Sequence, residues 1–346
     1  MDIINIIKNS VPLIDLRAPM EYQKGALPLS INIPILSDLQ REKVGIEYKK
    51  FGQGEAIKLG FNLLKTEKKE LIKLWIKFIK KNPETHIYCM RGGQRSQIAQ
   101  LWLKEEGINI PMIKGGYKAL RNEYINILNI ASEDKKKWTV IGGRTGSGKT
   151  VLLNKFTSSI DLEKHAMHRG SAFGSLMKEQ PSQINFENNL AFEYQKKDDK
   201  SIFLEDESQR IGRISLPRSW YDRMQRSNII ILDVDLDKRI SNIISEYISE
   251  PLINGQKNEE LNTLLQKSLF NIKKRLGGLL YNDTSTDIDS AFSKTSKITH
   301  YNWIRTLLTN YYDPMYDYQI ESKMNRCVFR GNENEVKNYL AEIEIK

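Results

Sequence analysis

Cysteine is scarce in this chain: two thiols, Cys89 and Cys327, in 346 residues. Two cysteines cannot build a disulfide framework, and one pair is too few for a metal cluster. A thiol doing chemistry in a reducing compartment is therefore the expectation for at least one of them. Long apolar runs are missing as well. No stretch approaches the roughly 20 residues that cross a bilayer, and Met1 to Leu16 alternate apolar and polar side chains where a secretory leader would be continuously apolar. A soluble, cytoplasmic protein without membrane association is expected. No internal repeat or low-complexity segment appears, and the abundant lysine, asparagine and isoleucine read as compositional bias.

What is present points to two domains, each long enough to bury its own core. The formal net charge of +10 suggests a polyanionic partner, although many ordinary soluble proteins are equally basic. Its distribution is more telling. Residues 1–131 hold 21 lysines and arginines against 13 acids, whereas the remainder holds 32 against 30. In that first third, "VPLIDLR", "LSINIPI", "THIYCM" and "IPMIKGG" read as strands. "ELIKLWIKFIKK" reads as a helix with Leu71, Leu74, Trp75, Phe78 and Ile79 on one face and a solvated lysine face opposite, and "SQIAQLWLKEEG" as a helix closed by Gly107. "ASEDKKKW" is a charged, unpatterned joint, which predicts an α/β domain over 1–131 and a second over 138–346. The second repeats the alternation in "WTVIGG", "KTVLLNKF", "SIFLED" and "NIIILDVD", then turns mostly helical from Leu236, with periodic stretches at 236–249, 259–276 and 287–310.

The first thiol stands in "YCMRGGQRS". A cysteine at the C-terminal end of a parallel strand, followed by a tight loop and a helix, meets the N-terminal peptide dipoles of that helix. Those dipoles and nearby arginines favour thiolate over thiol. Gly92 and Gly93 let amides turn inward, Arg91 and Arg95 add charge, and Ser96 is placed to cap the helix. Two chemistries share this layout. In cysteine-dependent phosphatases the thiolate attacks a phosphate held by the arginine of Cys-x5-Arg; in chalcogen carriage it takes up sulfur or selenium. Cys327 has no such cradle and reads as structural.

The second loop, "GRTGSGKT", is a complete Walker A pattern between a strand and a helix. Gly143, Arg144, Thr145, Gly146, Ser147, Gly148, Lys149 and Thr150 are the predicted diphosphate-binding residues. Their amides face the anion, Lys149 adds a point charge, and the Thr150 hydroxyl can hold Mg2+. In "LEDESQR", Asp206 or Glu205 is a candidate metal partner for that Mg2+, and Glu207 a candidate base. His168 and Arg169 of "HRGSAFG" are candidate lining residues, while the tyrosines of "YYDPMYDYQ" read as helix-end packing.

Upstream residues decide between the two thiol chemistries. "DLRAPMEYQKGALPLSINIP" resembles the opening motif of the rhodanese family through Asp15, Arg17, Glu21, Gly25, Pro28, Asn32 and Pro34, and "IKGGYKAL" resembles the segment after a rhodanese loop. The order "DLRAPMEY", "YCMRGGQRS", "GGRTGSGKT", "HRGSAFG", "FENNLAFE", "EDESQRIG", "YYDPMYDYQ" resembles the tRNA 2-selenouridine synthase family along nearly the whole chain. Met90, where relatives often carry an aromatic residue, is a departure that leaves the cysteine and both arginines intact. The resemblance implies a rhodanese-like α/β domain followed by a P-loop NTPase-like α/β domain with a helical C-terminal part. It also implies a transferase acting on the wobble 2-thiouridine of the tRNA anticodon. Geranyl diphosphate and selenophosphate are the implied co-substrates, with no tightly bound cofactor. Cys89, Arg91 and Arg95 would act on selenium and the P-loop on the departing diphosphate. The alternatives are a cysteine-dependent phosphatase or sulfurtransferase coupled to a kinase-like P-loop domain, and a tRNA-binding module without catalysis.

Overall fold

The computed structural model describes residues 2–174, 179–197, 200–293 and 299–345, which form two compact units. The first comprises Met1–Ile130 together with Ser182–Lys196. Its elements run α1 (Ile3–Lys8), β1 (Leu13–Asp15), α2 (Pro19–Lys24), β2 (Ser30–Asn32), α3 (Asp38–Phe51), α4 (Gln53–Leu64), α5 (Lys68–Lys81), β3 (His86–Tyr88), α6 (Gln94–Glu105) and α7 (Gly116–Ala131). The sheet is parallel in the order β2-β1-β3, with Ile14 level with Ile31 and Ile87. The strand expected in "IPMIKGG" reduces to a single bridge from Met112 to Ile87, because the chain turns at once into α7.

The core of this unit gathers Ile14, Leu16, Ile87 and Leu103 around Trp75 and Trp102, whose rings stack at 6.2 Å. On α5 the expected Trp75 is buried and the expected Leu71, Phe78 and Ile79 are partly covered against the core, joined by Ile72 and Ile76, while the expected Leu74 is exposed. Trp75 anchors the helix by donating its indole N–H to the Ile33 carbonyl at 3.1 Å. Between β2 and α5 lies a helical hairpin the strand pattern did not foreshadow. Ser37 and Gln40 cap α3 reciprocally, and Gly52, at φ +83°, makes the turn into α4.

The second unit begins with β4 (Lys137–Gly142), α8 (Lys149–Leu153), β5 (Ser159–Ile160) and α9 (Leu162–Ala166). The chain then contributes α10 (Gln183–Lys196) to the first unit and returns with β6 (Ser201–Glu205), the hairpin β7 (Arg210–Ile211) and β8 (Ile214–Ser215), α11 (Arg218–Arg226) and β9 (Asn228–Leu232). There follow α12 (Leu236–Ile244), a π turn at Ser245–Ser249, α13 (Glu250–Ile253), α14 (Asn258–Leu276), α15 (Gly278–Ala291) and α16 (His300–Leu307). A second π turn at Leu308–Tyr312, α17 (Asp313–Glu321), β10 (Cys327–Gly331) and α18 (Glu333–Ile345) complete the chain. Of the predicted periodic stretch 287–310, residues 294–298 lie outside the described residues.

Its five-stranded sheet is wholly parallel, in the order β10-β9-β4-β6-β5. The central strands are covered on both faces, which is why "WTVIG", "SIFLE" and "IIIL" read as unbroken apolar runs. Cys327 opens the edge strand β10, against β9, in a part of the chain read as helical. No described helix is long and apolar enough to cross a membrane.

Candidate functional site

Cys89 follows directly on β3 and is nearly fully buried. Gly92, at φ +64°, makes the loop possible: a Cβ there would stand 2.5 Å from the Ile113 carbonyl oxygen. The start of α7 closes the loop from the other side, its amides at Tyr117 and Lys118 donating to the Cys89 and Met90 carbonyls at 2.8 and 3.1 Å. Helix α6 starts at Gln94 with Gly93 as its N-cap, so Ser96 is not the expected cap. It lies one turn in and fully buried beside the thiol. Burial by itself pushes the Cys89 thiol up. The Ser96 hydroxyl, the Arg95 charge and the amides of Arg91 and Ser96 outweigh that, so the thiol ionises below its ordinary range.

The residues of the opening motif prove to be the scaffold of this loop. Arg17 is buried in a fork with Asp15 at 2.6–3.0 Å, donates to the Gly25 carbonyl at 2.8 Å and lies 3.7 Å above the Tyr117 ring. Asn32 donates to the Asp15 and Arg17 carbonyls. Glu21 accepts from Arg95 at 2.5 and 3.3 Å and meets Arg41 at 3.7 Å, so Arg95 is oriented by a carboxylate while it faces the thiol. Arg91 is exposed and, among the described residues, has no such partner.

Next to the thiol a chamber of about 720 Å3 opens under the α3–α4 hairpin. Cys89, Arg91 and Arg95 line it together with the apolar Ile35, Val44, Ile57, Phe61, Leu64 and Ile98, and Glu21, Arg41, Tyr48 and Gln53 add polar groups. Sequence reasoning missed this hairpin: α3 buries no residue fully, so its spacing carries no strong apolar stripe.

In the second unit the P-loop joins β4 to α8 as expected. Gly146 and Gly148 have φ of +79° and +76°, and a Cβ on Gly146 would meet the Arg239 carbonyl at 2.9 Å. Lys149 donates to the Gly143 carbonyl at 3.1 Å, inside the loop it would exchange for an anion. Ser147 is buried, Thr145 lines the neighbouring cavity, and Arg144 turns out to Asp317 at 2.7 and 2.8 Å. Thr150 donates to Glu205, whose other oxygen is buried without a partner, and lies 3.4 Å from Glu163. Asp206, the other candidate to share a metal with Thr150, is held by Lys323 at 2.6 Å. The P-loop threonine thus faces the last residue of β6, one position earlier.

A cavity of about 210 Å3 over this loop is lined by Lys149, Thr150, Glu163, Arg169, Glu207 and Tyr316 among others, while His168 is buried off its wall. Burial lowers the His168 pKa. Arg169 pairs with Glu246 at 2.9 Å and lies over the Tyr247 ring, both on the first π turn, a distortion often found at functional sites. Burial, then mutual repulsion among Glu163, Glu205 and Glu207, raises all three carboxyls, Glu163 and Glu207 to about 8. Glu163 and Glu246 were not singled out from sequence, since they come from different helices and no short spacing joins them, and Tyr316, read there as helix-end packing, lines the cavity.

Two family profiles match the chain. One, described as the tRNA 2-selenouridine synthase AAA domain, covers residues 136–346, and a rhodanese-like domain covers residues 3–123. Proteins named tRNA 2-selenouridine synthase are similar over nearly their full length. That of Shewanella denitrificans is 44% identical over 96% of this chain and 94% of its own. That of Sulfurovum sp. is 42% identical over 99% and 97%, and that of Hydrogenovibrio crunogenus 40% identical over 99% and 98%.

Proposed function

The chain belongs to the tRNA 2-selenouridine synthase family, and from that premise we propose that it is a transferase that remakes the wobble base of tRNA in two steps. In the first, the sulfur of a 2-thiouridine attacks C1 of geranyl diphosphate; the C–S bond forms, the C–O bond breaks and diphosphate leaves. The P-loop amides and Lys149 hold that diphosphate. In the second, selenium from selenophosphate adds at C2 of the base and the geranylthio group departs. Selenophosphate and water become phosphate, the S-geranyl nucleoside becomes 2-selenouridine and geranylthiol, and no oxidant is consumed. S-alkylation makes the exchange feasible, because a neutral thioether-like sulfur leaves more readily than a thione. Cys89, with Arg95 and the Arg91 amide, handles selenophosphate and its selenium, its thiol ionising below the ordinary range.

The observation that carries this reading is the chamber beside Cys89. A thiolate that met only polar selenophosphate and a uracil ring would need no wall of Val44, Ile57, Phe61 and Leu64, whereas a ten-carbon alkyl chain attached to the reacting base does. The residues present also fit a divalent cation. Thr150 and the unpartnered oxygen of Glu205 would hold Mg2+, which keeps waters and takes substrate phosphates as its other ligands. Bound there, it would neutralise charge on the departing diphosphate.

The test is mass spectrometry of tRNA nucleosides after incubation with geranyl diphosphate, with and without selenophosphate and without ATP. The expected result is the S-geranyl nucleoside without selenophosphate and 2-selenouridine with it. An absolute ATP requirement for alkylation, or no geranylated species under either condition, refutes the two-step reading.

A further inference from the structure

Arg91 also lines a second concavity, about 410 Å3, together with Gly115, Lys118, Ala119 and Asn122. Gly115 to Asn122 follow the spacing of one helix face, Lys118 and Asn122 standing four residues apart on α7. Gly115 and Ala119 leave the floor open, and no carboxylate lines it. Charge makes this place distinctive. The other arginines of the unit are committed: Arg17 to Asp15, Arg41 and Arg95 to Glu21, Arg121 to Glu187. Arg91 alone, among the described residues, has no carboxylate partner, and the side chains of Lys118 and Asn122 have no protein partner either. An exposed, unpaired guanidinium beside a lysine and an amide donor, on a floor without side-chain bulk, suits a phosphate group.

The position is fixed relative to the thiol. The first amides of α7 are spent on the Cys89 and Met90 carbonyls, so they are not the anion donors; they lock the shelf to the loop. Arg91 borders both the shelf and the chamber. We propose that Arg91, Lys118 and Asn122 form a phosphodiester shelf that seats the tRNA backbone next to the nucleotide whose base enters the Cys89 chamber. The proposal rests on the reading that Cys89 acts on tRNA. A single-stranded base is read by splaying it from the stack while its neighbours are held by the backbone, and a shelf one side chain away from the reacting pocket meets that need. The first third of the chain also carries most of the positive surplus, 21 basic against 13 acidic residues over 1–131.

The experiment uses the full chain with Lys118→Glu, Asn122→Asp and the conservative Lys118→Arg. Each is checked for an unchanged melting temperature and an unchanged pH profile of Cys89 alkylation by iodoacetamide. One lost phosphate contact on a single strand lowers the slope of log K against log salt by about 0.7 and weakens tRNA binding about fivefold near 0.1 M salt. We expect those changes in Lys118→Glu, a smaller loss in Asn122→Asp and recovery in Lys118→Arg, with KM for tRNA raised while kcat and KM for selenophosphate stay put. Unchanged tRNA affinity and slope in Lys118→Glu overturn the shelf. A raised KM for selenophosphate with unaltered tRNA binding also overturns it, assigning the place to the free anion. If Cys89→Ser still makes selenouridine, the underlying reading fails whatever Lys118 does, so the two failures are separable.

Discussion

In the thiol loop Cys89 and Arg95 act together through charge. Cys89→Ser keeps nearly the volume but replaces an ionisable thiol with a hydroxyl that stays neutral. The fold persists, because the loop is held by Gly92 and by the amides of Tyr117 and Lys118 rather than by sulfur. Selenation should stop and geranylated tRNA should accumulate, as read by mass spectrometry of both nucleosides in one reaction; loss of geranylation as well would show that the two loops do not divide the labour. Arg95→Ala should slow selenation without abolishing it, since it raises the thiol pKa but leaves Ser96 and the loop amides in place. Glu207 concerns stability. Its carboxyl and that of Glu163 ionise near pH 4.5 when unfolded and near 8 when folded. The folded state therefore holds protons that the unfolded chain has released, and this stabilisation is whole below pH 4.5 and lost as pH rises through 8. The ligand-free protein should melt lower at pH 8.5 than at pH 5.5. Glu207→Gln should recover on the order of 1 kcal/mol at the alkaline end, a modest figure because the residue is partly open to water. Parallel pH slopes for variant and wild type in thermal melts would contradict this.

The α3–α4 hairpin is the element that separates the first unit from a bare thiol loop. Gly60 of α4 lines the chamber, and a Cβ built on it would find Val44 no closer than 3.9 Å, so there is room for a side chain that would then occupy the cavity. Gly60→Leu should leave stability unchanged or slightly raised, as glycine is a poor helix former, while selenation of geranylated tRNA falls by about tenfold or more, the loss expected when roughly 1.4 kcal/mol of substrate fit is removed. Selenation at the wild-type rate in Gly60→Leu would mean that the alkyl group lies elsewhere. Legibility differed by element for physical reasons. Strands buried on both faces, such as β4 and β9, declare themselves as apolar runs, and the two anion loops declare themselves through glycines and cations at fixed spacing. Helix α3 does not, having no fully buried residue. Edge strand β10 does not either, since its residues alternate between partly covered and exposed. The carboxylates around Thr150 come from separate elements, so Glu205 against Thr150 and Lys323 against Asp206 are legible only in three dimensions.

At the scale of the whole molecule, chain order and unit membership part company. The "FENNLAFE" stretch was recognisable in the sequence only as one segment of the family resemblance, and nothing in it said which unit it serves. In the fold it completes the first unit from within the second half of the chain. Asn185 accepts from the Ala26 amide at 2.6 Å and Asn188, fully buried, donates to the Ala26 carbonyl at 2.7 Å. Arg121 reaches the Asn188 side chain at 2.8 Å and pairs with Glu187. Phe186 and Leu190 are fully buried. A chain cut at the charged joint would strip that helix away, leaving the Ala26 backbone and the Arg121 guanidinium without these partners and uncovering the surface on which Phe186 and Leu190 pack. The Ala26 backbone and Arg121 would then meet water, so the loss is mainly the burial of Phe186 and Leu190, about 1.5–3 kcal/mol for each side chain, a large share of the about 5–15 kcal/mol that holds a domain this size. Residues 1–135 expressed alone should therefore be much less stable than the same unit in the full chain, with a lower midpoint in urea. A peptide spanning residues 182–197 added in trans should raise that midpoint, and a peptide in which Asn188 is leucine should not. A 1–135 fragment as stable as the intact unit would show that the helix rides on a unit already complete without it.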